Sequence, residues 1–150
     1  MKLIVAVDPS GGIGYKNKLP WSKIQGDLPR FKSLTDNQIV VMGHNTWNSL
    51  PKKPLPNRTN LILTSTILTN LPNDTFTTST LDKVNKDAWI IGGAEVINSN
   101  WNYISEIHLT RTIAKYTCDV FIDLLKLENE FTCWFKETFV DHSYEIWKRK

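Results

Sequence analysis

The chain has 150 residues, of which 41% are hydrophobic, 11% aromatic and 22% charged, and its formal net charge at pH 7 is +3. This length and apolar content fit one compact domain over residues 1–150 and exclude disordered and fibrous proteins. Apart from the terminal Lys148, Arg149 and Lys150, the basic residues are scattered. A nucleic-acid binder gathers such residues into a patch, so we expect no nucleic-acid partner.

Short β-rich runs alternate with helical segments along the chain. The sequence predicts strands at residues 3–7, 39–42, 61–65, 88–91, 106–111, 131–139 and 143–149, and helical segments at 27–35, 43–50 and 94–101. The turn between the last two runs is too short for anything except an antiparallel hairpin. The expected fold is therefore α/β, with an open, mostly parallel sheet, an antiparallel C-terminal edge hairpin and helices on both faces.

Four segments at predicted strand ends are candidate anion sites. Residues 10–14, Ser-Gly-Gly-Ile-Gly, lack the spacing of a Rossmann fingerprint and by themselves predict a loop. Residues 90–96 place two glycines between a strand and a helix, where free N–H groups could bind a pyrophosphate, although a tight turn would need glycine as well. Residues 42–47 and 64–65 are the other two. Together the four segments fit a dinucleotide lying along the strand ends.

Two charged residues are candidates for binding a substrate. Asp27 precedes a helical segment, which is typical of an N-cap; as the carboxylate of an apolar cleft it could also hold an amino-pyrimidine edge. Arg58 follows a proline-rich loop and is either a solvated surface residue or a bidentate partner for a carboxylate. Local sequence leaves both choices open.

The cysteines and the amino-terminal residues indicate the cellular compartment in which the protein is expected to reside. Cys118 and Cys133 have no metal-type spacing, so we expect free, reduced thiols and no metal ion. The first residues lack the apolar region of a secretion signal, and no apolar run reaches the roughly 18 residues of a membrane-spanning helix. We expect a cytoplasmic protein without a membrane partner, with a monomer as the default state.

Taken together, the motifs resemble the dihydrofolate reductase family over almost the whole chain. The matching stretches are residues 12–14 through 19–21, 27–32, 41–43 with 46–47, 54–58, 91–93 and 109–110. The resemblance implies an eight-stranded, mostly parallel sheet and the NADPH-dependent reduction of 7,8-dihydrofolate to 5,6,7,8-tetrahydrofolate, with hydride passing to C6 and a proton to N5. This reaction would supply one-carbon carriers for thymidylate and purine synthesis.

The resemblance also implies roles for individual residues. Asp27 would be the active-site carboxylate, with Thr110 supporting it by hydrogen bonding, Trp21 ordering a nearby water and Arg58 pairing with the glutamate tail of the substrate. The predicted substrate-binding residues are Ile4, Val5, Asp27, Leu28, Phe31, Leu50, Leu55, Arg58, Ile91 and Thr110. The predicted cofactor-binding residues are Ala6, Gly12, Ile13, Gly14, Asn17, Lys18, Gly43, His44, Asn45, Thr46, Thr64, Ser65, Ile91, Gly92, Gly93, Ala94, Glu95, Val96 and Ile97.

Two residues depart from the family pattern, and two other functions compete with it. His44 and Glu95 stand where members carry arginines for the 2′-phosphate, so we expect a weakened preference for NADPH over NADH. A reductase of a pyrimidine sugar phosphate would use the same dinucleotide sites, but Asp27 together with Arg58 argues against it. The presence of Trp21, Phe31 and Thr110 together with Asp27 argues against the alternative of a nucleotide-binding protein without catalytic activity.

Overall fold

The computed structural model describes all residues from Met1 to Lys150. The elements in chain order are β1 (Lys2–Val7), β2 (Gly12–Gly14), α1 (Asp27–Thr35), β3 (Ile39–Gly43), α2 (His44–Ser49), β4 (Thr59–Leu63), β5 (Thr75–Thr78), β6 (Trp89–Gly92), α3 (Ala94–Ser99), a 3-10 turn (Trp101–Tyr103), β7 (Glu106–Thr112), β8 (Val120–Phe121), α4 (Leu124–Glu130), β9 (Phe131–Thr138) and β10 (His142–Arg149). Every predicted strand and helix is present, with ends shifted by at most two residues. None of the helices is long and apolar enough to cross a membrane.

Eight of the strands form one sheet in the order β5-β4-β3-β6-β1-β7-β10-β9. The pairs from β5 to β7 are all parallel. β10 pairs antiparallel with both β7 and β9, so the last two strands form an antiparallel edge. β2 and β8 make a separate two-stranded sheet, so the segment at residues 12–14 is not simply a loop. The predicted α/β fold is confirmed.

Two apolar clusters lie on opposite faces of the large sheet because side chains alternate along each strand. In β6, Ile90 belongs to the larger cluster and Ile91 packs against the smaller one. Ile97 of α3 belongs to the larger cluster, and Trp47 of α2 to the smaller. Helices therefore cover both faces of the sheet, as the sequence predicts.

The neighbouring strands β3 and β6 continue in opposite directions across the sheet. From β3 the chain runs through α2 to β4, towards one edge, and from β6 it runs through α3 to β7, on the far side of β1. A crevice forms where the connections of adjacent parallel strands diverge, and open α/β sheets bind their ligands there. The crevice lies beyond Gly43 and Gly92, the last residues of the two strands.

Candidate active site

Three glycines line the crevice between β3 and β6. A Cβ atom on Gly43 would lie 2.9 Å from Cγ2 of Val96, and one on Gly93 would lie 3.3 Å from Oγ1 of Thr46. Gly92 has a φ of 135°, which side-chain-bearing residues rarely adopt. No side chain therefore stands between the crevice and the backbone at these positions, and a ligand can approach the main chain closely.

The helices α2 and α3 begin directly at this crevice. His44, the first residue of α2, is half-buried and has no hydrogen-bond partner, whereas Glu95 in the first turn of α3 is exposed. Ile97 differs from the other predicted cofactor residues because its side chain is fully buried and its N–H donates to the carbonyl of Gly93 at 3.0 Å. Ile97 therefore has no free group to offer to a cofactor.

An open pocket of about 440 Å³ lies at the carboxyl ends of β4 and β5, and it contains the predicted residues Thr64 and Ser65. Seven hydroxyl side chains and one ammonium group are concentrated in it, and such donors suit a phosphate ester. The lining residues are Thr64, Ser65, Thr66, Ile67, Leu68, Thr77, Thr78, Ser79, Thr80 and Lys83. Residues 77–80 and Lys83 are missing from the predicted set; the unbroken run of hydroxyl side chains is the sequence signal for residues 77–80, and Lys83 has no such signal.

Asp27 is the first residue of α1, and its carboxylate is directed to the sheet. The N-cap is Gly26, with a φ of 82°, and no side chain caps the helix. Oδ1 of Asp27 accepts a hydrogen bond of 2.7 Å from Oγ1 of Thr110 in β7. The interpretation of Asp27 as an N-cap is therefore wrong, because the glycine starts the helix and leaves the half-buried carboxylate to Thr110.

Arg30 lies one helical turn beyond Asp27 and reaches the same hydroxyl. Its Nη1 donates to Oγ1 of Thr110 at 3.5 Å, and its guanidinium carbon lies 4.2 Å from the ring centre of Tyr144 and 5.5 Å from that of Phe139. Tyr144 faces Thr110 directly in the β7–β10 ladder. Two aromatic rings thus hold a cation beside the predicted catalytic pair, and Arg30 is absent from the predicted set.

Tyr144 is itself held by a buried histidine. Nδ1 of His108 lies 2.5 Å from the Tyr144 hydroxyl, and Nε2 of His108 lies 2.7 Å from a carboxylate oxygen of Glu106. Burial lowers the pKa of His108, although Glu106 works in the opposite direction. Burial also raises the pKa of the Tyr144 phenol, which Arg30 opposes. The ring below Arg30 is therefore a neutral phenol in a fixed position.

Four of the predicted apolar substrate residues gather on one face of the sheet. Ile4, Leu50, Leu55 and Ile91 are all half-buried and pack around the smaller apolar cluster. Val5 points to the other face and packs against the larger cluster, so only its backbone is available on the side of Asp27. The sheet thus presents a partly open apolar surface next to α1.

Arg58 is 7% exposed, and its guanidinium is held in place by the protein. Nε donates to Oγ1 of Thr35 at 3.2 Å and Nη1 to the carbonyl of Pro56 at 2.7 Å, while Nη2 has no protein acceptor. The guanidinium carbon lies 5.7 Å from the ring centre of Phe31. The solvated-surface interpretation is therefore wrong, because two acceptors draw Arg58 inward. Leu28, in contrast, is 71% exposed.

The predicted loop at residues 12–18 is a small hairpin that docks on a later segment of the chain. Residues 15–18 form a two-residue turn with positive φ at both central positions, as a type I′ turn requires. The N–H of Lys16 donates to the carboxylate of Asp119 at 3.0 Å, and the N–H of Asp119 donates to the carbonyl of Gly14 at 2.9 Å. The loop is thus attached to residues that the predicted set does not contain.

Asp8, at the end of β1, anchors both sides of this contact. One carboxylate oxygen accepts from the N–H of Gly12 at 2.8 Å and the other from the N–H of Tyr116 at 3.1 Å. A Cβ on Gly12 would lie 2.2 Å from Sγ of Cys118, so the glycine allows this close packing. Trp21 is buried against the Tyr116 ring at 5.7 Å, and its indole N–H has no protein acceptor.

The sequence profile described as Dihydrofolate reductase matches residues 1–146 of the chain. The chain belongs to the dihydrofolate reductase family. Dihydrofolate reductase type 8 of Escherichia coli is 32% identical over 160 residues, which cover 98% of this chain and 94% of the relative. Dihydrofolate reductase of Ureaplasma parvum is 36% identical over 81% of both chains. A bifunctional dihydrofolate reductase-thymidylate synthase of Paramecium tetraurelia is 33% identical over 81% of this chain, which is 28% of that longer protein.

Family membership makes the chain a dihydrofolate reductase, an enzyme that reduces dihydrofolate to tetrahydrofolate. The structure places Ile4, Leu50, Leu55 and Ile91 on one face of the sheet and joins Asp27 to Thr110, whereas Val5 points to the other face and Leu28 is exposed. Most of the predicted cofactor residues lie at the carboxyl ends of the strands, in the crevice and in the hydroxyl-lined pocket, whereas those at 12–18 lie on the separate hairpin and Ile97 is buried in α3. Ala6 of β1 is the register partner of Thr110 and lies between these two areas.

Proposed function

We propose that this enzyme uses NADPH and transfers hydride to C6 of 7,8-dihydrofolate while N5 gains a proton. The observation that carries the proposal is the hydrogen bond from Thr110 to Asp27 beside a partly open apolar surface. A carboxylate beside an apolar surface needs a hydrogen-bonding partner, because the apolar side chains provide none. A ligand that is flat, mainly apolar and rich in N–H donors along one edge would fill the apolar surface and bind the carboxylate.

On the substrate side, Asp27 would bind N3 and the 2-amino group of the pterin. Thr110 donates to Oδ1 of Asp27 and leaves Oδ2 free, so the carboxylate can accept from two pterin donors. The free Nη2 of Arg58 would pair with the carboxylate of the glutamate tail. The apolar contacts would come from Ile4, Leu28, Phe31, Leu50, Leu55 and Ile91.

The cofactor proposal depends on a fit between two anionic groups and two places in the protein. The glycine-lined crevice at the start of α2 and α3 offers main-chain N–H groups without side-chain obstruction, which suits a pyrophosphate. The pocket with Thr64, Ser65 and Lys83 suits a 2′-phosphate. NADPH supplies the hydride when it is bound. Residues 12–18 would cover the nicotinamide and exclude water from the reacting atoms.

The proton for N5 would come from a water molecule. Asp27 cannot easily reach N5 while it holds the pyrimidine edge of the pterin, so its contribution is orientation and electrostatic support. The indole N–H of Trp21 has no protein acceptor and is a suitable donor for such a water. Water exclusion elsewhere in the site would keep this proton route the main one.

Asp27→Asn tests the proposal, because the amide keeps an oxygen for the Thr110 proton but carries no charge. We expect turnover at pH 7 to fall by about 10²- to 10³-fold, the usual cost of losing one preorganised electrostatic group, with partial recovery in acid as the substrate takes its proton from solvent. Asp36→Asn, at the other end of α1, removes the same charge and should leave turnover unchanged. Near-wild-type turnover of Asp27→Asn at neutral pH would contradict the assignment.

The same absorbance assay, repeated with NADH, tests the cofactor. If His44 contributes to binding the 2′-phosphate, His44→Gln should lower the preference for NADPH over NADH. A preference that His44→Gln leaves unchanged would show that His44 does not contribute, and equal use of both cofactors by the wild type would contradict the NADPH assignment.

A further inference from the structure

Arg30 is a charged group beside Asp27 that the mechanism above does not use. Oγ1 of Thr110 lies 2.7 Å from Oδ1 of Asp27 and 3.5 Å from Nη1 of Arg30. A single hydroxyl therefore separates a permanent cation from the carboxylate that would hold the substrate. Both charged residues come from the first turns of α1, at positions 27 and 30, so the helix presents them to β7 together.

The hydrogen-bonding capacity of the three groups fixes the direction of the Thr110 hydroxyl. A guanidinium has donors only, so Oγ1 of Thr110 must accept from Arg30, whereas an ionised carboxylate accepts only, so Thr110 must give its one proton to Asp27. A hydroxyl that accepts from a cation is also polarised and donates more strongly. The chain of donors runs from Arg30 through Thr110 to Asp27 and has no alternative direction.

The guanidinium stays at this place because of contacts that do not use its N–H groups. Arg30 lies over the ring of Tyr144 at 4.2 Å and near that of Phe139 at 5.5 Å. Tyr144 is fixed in turn by His108, which is bonded to Glu106. The other titratable groups on this face of β7 and β10 are Glu106, His108, His142, Tyr144 and Lys148, and Glu137 of β9 is the register partner of Tyr144. Stacking leaves the guanidinium N–H groups available, which a salt bridge would not do.

We propose that Arg30 is a positioning residue for the reduction and acts through the Thr110 hydroxyl on the Asp27 carboxylate. The inference rests on the role proposed above for Asp27. Arg30 keeps Thr110 committed as a donor to Oδ1, so that the remaining lone pairs of the carboxylate face the substrate.

The test compares Arg30→Gln and Arg30→Lys with Lys86→Gln, which removes the same charge before β6, at the opposite end of the sheet. We expect Arg30→Gln to raise KM for dihydrofolate by about tenfold, the value of one charge-assisted hydrogen bond, and to leave KM for NADPH unchanged. Arg30→Lys should restore only part of the KM for dihydrofolate, and Lys86→Gln should change neither KM.

Thr110→Val tests the route of the effect. If Arg30 acts through the hydroxyl, Arg30→Gln should cause no further rise of KM for dihydrofolate in the Thr110→Val background. An equal rise in both backgrounds, or an unchanged KM for dihydrofolate in folded Arg30→Gln, would overturn the inference. If Arg30→Gln does not fold, Arg30→Lys decides, because a wild-type KM in that variant contradicts the need for the guanidinium.

Asp27→Asn separates this inference from the proposed function. If Asp27→Asn turns over normally, the role of Asp27 fails and that of Arg30 fails with it. If Asp27→Asn is impaired while Arg30→Gln behaves like the wild type, the proposed function stands and only the Arg30 inference is overturned.

Discussion

Replacing Arg58 with leucine removes a guanidinium that the fold has already buried and oriented. Thr35 and Pro56 accept hydrogen bonds from Nε and Nη1, so the guanidinium is fixed in position and Nη2 is left without a protein acceptor. Because folding has already desolvated and ordered this side chain, a substrate carboxylate gains the interaction with little further entropy cost. Loss of one partner of such a pair costs about 2–5 kcal/mol, so binding of dihydrofolate should weaken by about 30-fold or more.

Measured dissociation constants for dihydrofolate and NADPH would check this prediction. Arg58→Leu should weaken only dihydrofolate, and Arg58→Lys should also be impaired because an ammonium cannot serve Thr35, Pro56 and a carboxylate at once. Thr35→Val keeps the charge and loses one anchor, so its effect should be smaller. A dihydropterin without the glutamate tail should bind equally well to wild type and Arg58→Leu. Unchanged binding of dihydrofolate to Arg58→Leu would refute the reasoning.

Two further predictions concern stability. Gly43→Ala should lower the free energy of unfolding by about 1–3 kcal/mol in urea titrations, because the new Cβ would lie 2.9 Å from Cγ2 of Val96. The double variant Gly43→Ala with Val96→Ala should recover most of the lost stability. A Gly43→Ala variant as stable as the wild type would contradict the contact. Burial lowers the pKa of His108, so the unfolded chain binds a proton first as the pH falls, and the stability present above pH 6.5 is lost below it. His108→Gln should flatten this loss and His44→Gln should not; equal slopes in the two variants would contradict it.

The alternation of strands and helices could be predicted because it depends on local apolar periodicity. The strands that the pattern does not predict are β2, β5 and β8, which have two to four residues each. Gly12 and Thr75 are the only buried residues in these three strands. Strands this short and this little buried form because a neighbouring strand supplies hydrogen-bond partners, as β4 does for β5. No local pattern records the presence of such a partner.

The sequence by itself determined the family, the parallel sheet with its antiparallel edge, and the glycine turns, because each depends on short motifs of residues that are adjacent in the chain. The tertiary structure decided what Asp27 and Arg58 do, since their partners are supplied by folding. Thr110 stands 83 positions from Asp27 and turns an apparent helix cap into an active-site candidate. Thr35, 23 positions from Arg58, helps to bury an apparent surface residue. Side-chain direction depends on contacts between distant elements, and only the folded sheet brings those elements together.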